Sequence, residues 1–241
     1  MNYKGIIFFL GLNCLLISLF SILNIAYSIH LNFNIDLKSY IFSLAISSIV
    51  GVLFCWFGYK KSKDININEQ IILILSTFIF IPLLISIPYN LSIYNISFLD
   101  SYFESISGFT TTGFSIIENI ETIDEPLLLW RSSSQWIGGL FFLLATVGTL
   151  GSKKMKIKPT YLIQDTNTGG NFYKNFNYNF IKIFIIYFVS TIFIIFLLNL
   201  TNIRLLDSFN LAFTAISSGG FINKNNLLHI VDNNLQIFTL S

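Results

Sequence analysis

Two stretches of this chain carry one pattern: Leu99-Asp-Ser-Tyr-Phe-Glu-Ser-Ile-Ser-Gly-Phe-Thr-Thr-Thr-Gly-Phe114 and Leu206-Asp-Ser-Phe-Asn-Leu-Ala-Phe-Thr-Ala-Ile-Ser-Ser-Gly-Gly-Phe221. They align without a gap at an offset of 107 residues. Both open on Leu-Asp-Ser, both end in Gly-Phe, and hydroxyl residues crowd the positions before the shared glycine. Each copy lies between long apolar runs. A repeated order of apolar span, short amphipathic segment, hydroxyl-rich glycine turn and second span describes a membrane chain with re-entrant loops, and points to a cation pathway.

The surrounding composition agrees. Hydrophobic residues make up 54% of the 241 positions and charged residues 11%, where a soluble domain carries about a quarter. Mean hydropathy is +0.70. Crossing a bilayer takes roughly 20 apolar residues. The candidates are Gly5–Ile29, Ser39–Tyr59, Gln70–Ile87, Leu127–Gly151, Phe180–Leu200 and a run from Leu227 that stops at Ser241 and reads as an unfinished span. The fold expected is an all-α polytopic membrane protein: two N-terminal spans (1–69), a first span–loop–span repeat (70–152), a cytoplasmic connection (153–179), and a second repeat (180–241) truncated in its last span. Pro82 is placed to kink the third span.

Charge orients the chain. Lys60, Lys61 and Lys63 follow the second span, and Lys153, Lys154, Lys156 and Lys158 the fourth, so both segments are expected in the cytoplasm, with the N-terminus. Pro88–Pro126 carries Asp100, Glu104, Glu118, Glu121, Asp124 and Glu125 and no basic residue, and is expected outside. Both loops then open to one face, as a parallel repeat does. Asp100 and Glu104 sit inside the repeated element, where a carboxylate stabilises the first turn of a short helix.

Each loop has a chemistry. A half-helix over Asp100–Phe109 reaches about halfway through the membrane. Thr110, Thr111, Thr112 and Gly113, taken as extended, span about 13 Å and present carbonyl oxygens to a desolvated cation. Ser217, Ser218, Gly219 and Gly220 repeat the arrangement. Arg131, beside Gln135 and Trp136 at the outer end of the fourth span, has two readings. It reaches the interface, or it braces the back of the loop. Gly138 and Gly139 permit close helix approach. Asn13, Asn24 and Asn199 either hydrogen-bond between helices or mark a polar path. Cys14 and Cys55 form no disulfide or metal pattern. Neither paired acids nor a nucleophile constellation argues for an enzyme.

These residues resemble a family. Ser105-Ile-Ser-Gly-Phe-Thr-Thr-Thr-Gly-Phe-Ser115 is similar to the first filter loop of the Trk/Ktr/HKT superfamily of potassium transporters. Leu129-Trp-Arg-Ser-Ser-Ser-Gln-Trp-Ile-Gly-Gly139 resembles the span that follows that loop, and Ala215-Ile-Ser-Ser-Gly-Gly-Phe221 the second filter loop. The two initial spans resemble the extra pair of the Trk branch, so the chain resembles the N-terminal half of a Trk-type membrane subunit. The resemblance implies K⁺ as transported ion, no cofactor, and a pore of four repeats, of which this chain holds about one and three-quarters. Gly113, where serine would tend towards Na⁺, implies K⁺. The family often forms dimers on a cytoplasmic ring of nucleotide-binding subunits, which would contact Lys153–Lys158; anionic lipid suits the same lysines, and nucleic acid is not implied. The alternatives are a fragment without conductance that needs its C-terminal half, and a less selective Na⁺/K⁺ pathway. Truncation is the expectation for the chain as a whole.

Overall fold

The computed structural model describes residues 2–30, 32, 36–59, 67–150 and 172–222. Every regular element among them is helical. They run α1 (Tyr3–His30), α2 (Leu37–Gly58), α3 (Ile67–Asn90), α4 (Phe98–Phe109), α5 (Glu125–Leu150), α6 (Phe172–Leu200) and α7 (Leu205–Ser217), with a 3₁₀ turn at Ile120–Thr122. The run from Leu227 and most of the connection expected at 153–179 lie outside the described residues. Helix α6 begins at Phe172, earlier than the expected Phe180, so the end of that connection is helical. The Asn and Lys residues there interrupt the apolar signal without breaking the helix.

Among the described residues four helices are long and apolar enough to cross a membrane: α1, α2, Asn68–Asn90 of α3 and Ile181–Leu200 of α6. The fourth expected span falls on α5, a helix of 26 residues whose described part is not among these four. Its run Trp130–Leu140 carries Arg131, three serines and Gln135, all buried. These polar groups are covered by protein rather than lipid, which is how a membrane chain keeps them. Helix α5 touches α1, α3, α4, α6 and α7 and is the hub of the molecule.

Packing follows membrane rules, in which close approach and polar bonds replace the hydrophobic drive. Helices α1 and α2 pair along Gly11, Gly51 and Gly58. A Cβ on Gly11 would sit 2.8 Å from the Cys55 nitrogen, and one on Gly58 only 2.6 Å from the Phe8 Cβ. Helix α3 continues through both Pro82 and Pro88. Each proline takes the N–H from the carbonyl four residues back, Phe78 and Leu84, and neighbouring helices bond the carbonyls one residue further on. Tyr102 of α4 donates to the Ile79 carbonyl at 3.0 Å, and Trp130 Nε1 of α5 to the Ile85 carbonyl at 3.0 Å. The short helix and the hub thus dock on α3 beside its prolines. An aromatic core of Phe78, Phe109 and Phe141 closes this junction, and Trp136 ties α5 to α6 through Thr191 at 2.9 Å.

Candidate functional site

The two repeated stretches fold alike. Each is a short helix, α4 of 12 residues and α7 of 13, ending in a tight turn. In α4 the Thr111 N–H bonds the Gly108 carbonyl at 2.9 Å and the Thr112 N–H bonds Ser107 at 3.0 Å. In α7 the Ser218 N–H bonds Ala215 at 3.2 Å and the Gly219 N–H bonds Thr214 at 3.0 Å. Both are Schellman caps, in which the residue after the helix takes the left-handed conformation. Glycine normally fills that place. Here Thr111 has φ +56° and Ser218 φ +55°, while Gly113 and Gly220 follow at +81° and +79°. The extended run expected over Thr110–Gly113 is therefore corrected: the first half is a helix cap, because unpaired carbonyls at the end of α4 capture the next N–H groups.

A second bond recurs at the same offset. Ser107 Oγ donates to the Phe114 carbonyl at 2.5 Å, and Thr214 Oγ1 to the Phe221 carbonyl at 2.7 Å. Each closes its loop like a clasp. The hydroxyls at 107 and 214 hold equivalent places in the repeat, six residues before the shared glycine, where sequence spacing alone does not mark a bond. Thr110 and Thr112 share a hydroxyl bond of 2.7 Å.

The loops meet at their glycines. A Cβ built on Gly113 would collide with the Gly219 carbonyl oxygen, and the Gly220 position lies 3.9 Å from the Gly113 Cα. Positive φ and crowding together require glycine at 113.

Helix α5 holds both loops from behind. Arg131 Nε donates to Glu104 Oε1 at 2.9 Å in an ion pair whose side chains are 2% and 0% exposed. The same guanidinium donates to Ser115 Oγ at 3.0 Å and lies 4.2 Å over the Phe221 ring. Glu104 accepts from the Ile116 N–H at 3.2 Å and from Ser115. One turn along, Gln135 Nε2 donates to the Gly219 carbonyl at 2.6 Å, and its Oε1 accepts from the Phe221 N–H at 3.2 Å. Ser132 reaches Asn210 of α7. A Cβ at Gly108 would strike Ser134, and one at Gly138 would strike the Phe109 carbonyl, so α4 lies against the hub without a spacer.

Of the expected support residues, Glu104, Arg131 and Gln135 converge behind the loops. Asp100 does not. It sits at the exposed start of α4, where its N–H bonds the Ser97 hydroxyl at 3.2 Å and its carboxylate accepts from that hydroxyl at 2.7 Å, which caps the helix. Ser115 was missed: it lies beyond the repeat and is read only once Arg131 and Glu104 are seen together.

A helical membrane protein with two like re-entrant loops on a shared polar hub defines the class, a multi-pass membrane protein of transporter architecture. The profile of the family described as "TrkH: Cation transport protein" matches residues 37–240, and the chain belongs to that family. It is 30% identical over 148 residues to an uncharacterized cation transporter of Methanocaldococcus jannaschii, covering 59% of this chain and 30% of that one. It is 30% identical over 106 residues to the Trk system potassium uptake protein TrkG of Escherichia coli strain K12, covering 41% and 22%. The crystal structure of the potassium transporter TrkH from Vibrio parahaemolyticus superposes with a TM-score of 0.77 at 22% identity, over 100% of this chain and 48% of that one. That likeness is one of fold, and the chain spans about half the length of that relative.

Proposed function

We propose that this chain forms part of a K⁺ uptake pathway, with the turns Thr110–Gly113 and Ser217–Gly220 as two walls of its ion-selecting constriction. The observation that carries the reading is the pair of left-handed hydroxyl residues, Thr111 and Ser218, at equivalent places in two loops whose glycines touch. A residue with a Cβ costs about 1–2 kcal/mol at positive φ. Two such positions in register support a functional use for the strained backbone. Carbonyl oxygens from the turns replace the hydration shell of a cation, and the hydroxyls add oxygens or brace them. The hub residues Arg131, Glu104 and Gln135 keep those oxygens from relaxing onto a smaller ion.

Gly113 supports K⁺ over Na⁺, because any side chain there displaces the Gly219 carbonyl. The "potassium uptake" in the names of relatives supports the same ion. Two loops do not enclose an ion; further repeats, in a second copy or a C-terminal half, complete the ring. The lysines at 60–63 and 153–158 support a cytoplasmic N-terminus in the plasma membrane and a face for a nucleotide-binding ring. The chain acts as a transporter, not an enzyme.

The test is growth on low K⁺ of a bacterium lacking K⁺ uptake, carrying the complete gene or its Gly113→Asp variant. Growth that the variant loses, at equal membrane insertion, is the expected result. Growth unchanged in the variant would overturn the constriction, and no growth from the inserted wild type would overturn K⁺ uptake.

A further inference from the structure

A second cluster of oxygen atoms lies away from the loops, between α1 and α2. Ser21 and Ser43 share a hydrogen bond of 3.2 Å, and this rung sets the alignment of the two antiparallel helices. The contacts of Gly11 with Cys55 and of Gly58 with Phe8 hold the same register. Towards the α1–α2 turn, Asn24 and Tyr40 each lie three residues from the rung, and Ser28 and Asp36 each seven. At 1.5 Å per residue these make two further rungs, about 4.5 and about 10.5 Å along. Positions spaced by three and four residues share one helix face, so the six positions follow one register between the helices, with Asp36 at the N-cap of α2.

The outer two rungs are buried and unsatisfied. Asn24, Ser28 and Tyr40 are 0% exposed and Asp36 is 4% exposed. Asn24 Oδ1, Ser28 Oγ, Asp36 Oδ2 and the Tyr40 hydroxyl have no hydrogen-bond partner among the described residues. The orientations are set from outside the seam. Asn24 Nδ2 is spent on the Phe20 carbonyl at 3.1 Å, which turns Oδ1 away from its own helix. Asp36 Oδ1 accepts the Ile93 N–H at 3.2 Å, and Oδ2 is left without a partner. The Tyr40 ring packs tilted on Trp130, centroids 6.0 Å apart, and its hydroxyl is within electrostatic reach of Asp124, Asp36, Tyr89 and Tyr94. Among the described residues no basic side chain forms an ion pair with Asp36.

Orphaned oxygens from four side chains in two adjacent rungs call for an occupant, since buried polar atoms are otherwise paired. We infer that Asn24, Ser28, Asp36 and Tyr40 form a binding site for one alkali cation between α1 and α2, separate from the proposed constriction. The donors are all oxygen, which suits a hard cation and not a soft one. The Asp36 carboxylate supplies one negative charge for a single cation, and Asp124, which faces it, adds to the field when ionised. Burial alone pushes the Asp36 carboxyl above its ordinary value, and a bound cation restores its ionised form. Because Asp36 also holds the Ile93 N–H, the cation would fasten the first two helices to the connection that leads into α4.

The experiment is thermal unfolding of the purified full-length protein, titrating NaCl or KCl against choline chloride at constant ionic strength. Wild type, Asp36→Asn, Ser28→Ala and the exposed-site control Glu118→Gln are compared. At ten times its dissociation constant the cation should raise Tm by about 4 °C. The rise should vanish in Asp36→Asn, shrink in Ser28→Ala and persist in Glu118→Gln. Cations that serve only the proposed constriction stabilise all four proteins alike, and that result overturns the site. So does a wild type indifferent to both salts, which would mean trapped water. If Asp36→Asn does not fold, the Ser28→Ala comparison decides.

Discussion

The two loops share a backbone and differ in what holds them. Both end in the same cap, with Thr111 or Ser218 left-handed, and both are clasped by a hydroxyl at 107 or 214. The first is braced by charge: Glu104 and Arg131, both buried, grip Ser115 and Ile116 on its far limb. The second is braced by a neutral amide, Gln135, which binds the Gly219 carbonyl and the Phe221 N–H. Both braces stand on adjacent turns of α5. Sequence repetition therefore produced the loops, while a single unrepeated helix produced their support. Arg131 crosses between the two, since its guanidinium also covers the Phe221 ring. The turns are set as a pair.

Substitution at Gly113 breaks the pairing most completely. Gly113→Asp should abolish K⁺ uptake, and Gly113→Ser should lower K⁺ selectivity over Na⁺ at least tenfold, read as the ratio of half-saturating concentrations. The matching change Gly220→Ser should be milder. It shares the positive φ but has no neighbour nearer than 3.9 Å, where a Cβ at 113 meets the opposite carbonyl. Equal effects at 113 and 220 would mean that strain alone, not crowding, sets the requirement.

The charged brace comes next. Arg131→Ala leaves the Glu104 charge buried without its counter-ion, a loss of about 3–5 kcal/mol, measured as detergent stability. Arg131→Lys should not restore it, because an ammonium cannot reach Glu104 and Ser115 in one plane. The double change Glu104→Gln with Arg131→Met should regain most of the stability but not the uptake, since Ser115 and Ile116 lose their anchor. Uptake regained along with stability would show that the ion pair only holds the fold together.

Gln135→Leu, the neutral counterpart, should cost about 2 kcal/mol by leaving the Gly219 carbonyl and Phe221 N–H unpaired. Its effect on transport should fall on the second turn alone: altered ion preference with the Arg131 network intact. A loss as large as that at Arg131 would erase the distinction between the braces.

How much of this was legible beforehand divides along the same line. The repeat, the short helices and the importance of Gly113 follow from residues close in sequence, whose spacing carries the signal. Arg131 was readable only as one of two alternatives, because its partner Glu104 lies across a connection that no periodicity describes. The partners of Gln135 are 84 and 86 residues away, in another repeat. The cap at Thr111 was hidden for a different reason: threonine argues against a left-handed residue, and only the tertiary grip of Ser107 and α5 holds it there. Helix α5 itself reads as an ordinary apolar span until its polar run is seen enclosed.

The smallest effect concerns the entrance to that hub. Asp124 precedes α5, accepts from the Tyr94 phenol at 3.1 Å, and returns its own N–H to the same oxygen at 2.7 Å. Burial, and then the facing carboxylate of Asp36, push its carboxyl up to about 6. The groups that face it are thus one acid, the Tyr94 phenol and the Leu127 N–H, with no base among them. Between its ordinary value of 3.8 and about 6 the folded chain keeps a proton that the unfolded chain has released. Stability therefore falls as pH rises through that window. Solvent reaches the group, which limits the change to about 1 kcal/mol. Asp124→Asn should flatten the profile between pH 4 and 6 while keeping the Tyr94 bond, read from Tm at each pH. Asp124 holds Tyr94 of the connection into the first loop, whereas Glu125 beside it pairs with Arg204 of the second repeat. A pH profile that Glu125→Gln flattens and Asp124→Asn leaves alone would move the sensitive contact from the first repeat to the second.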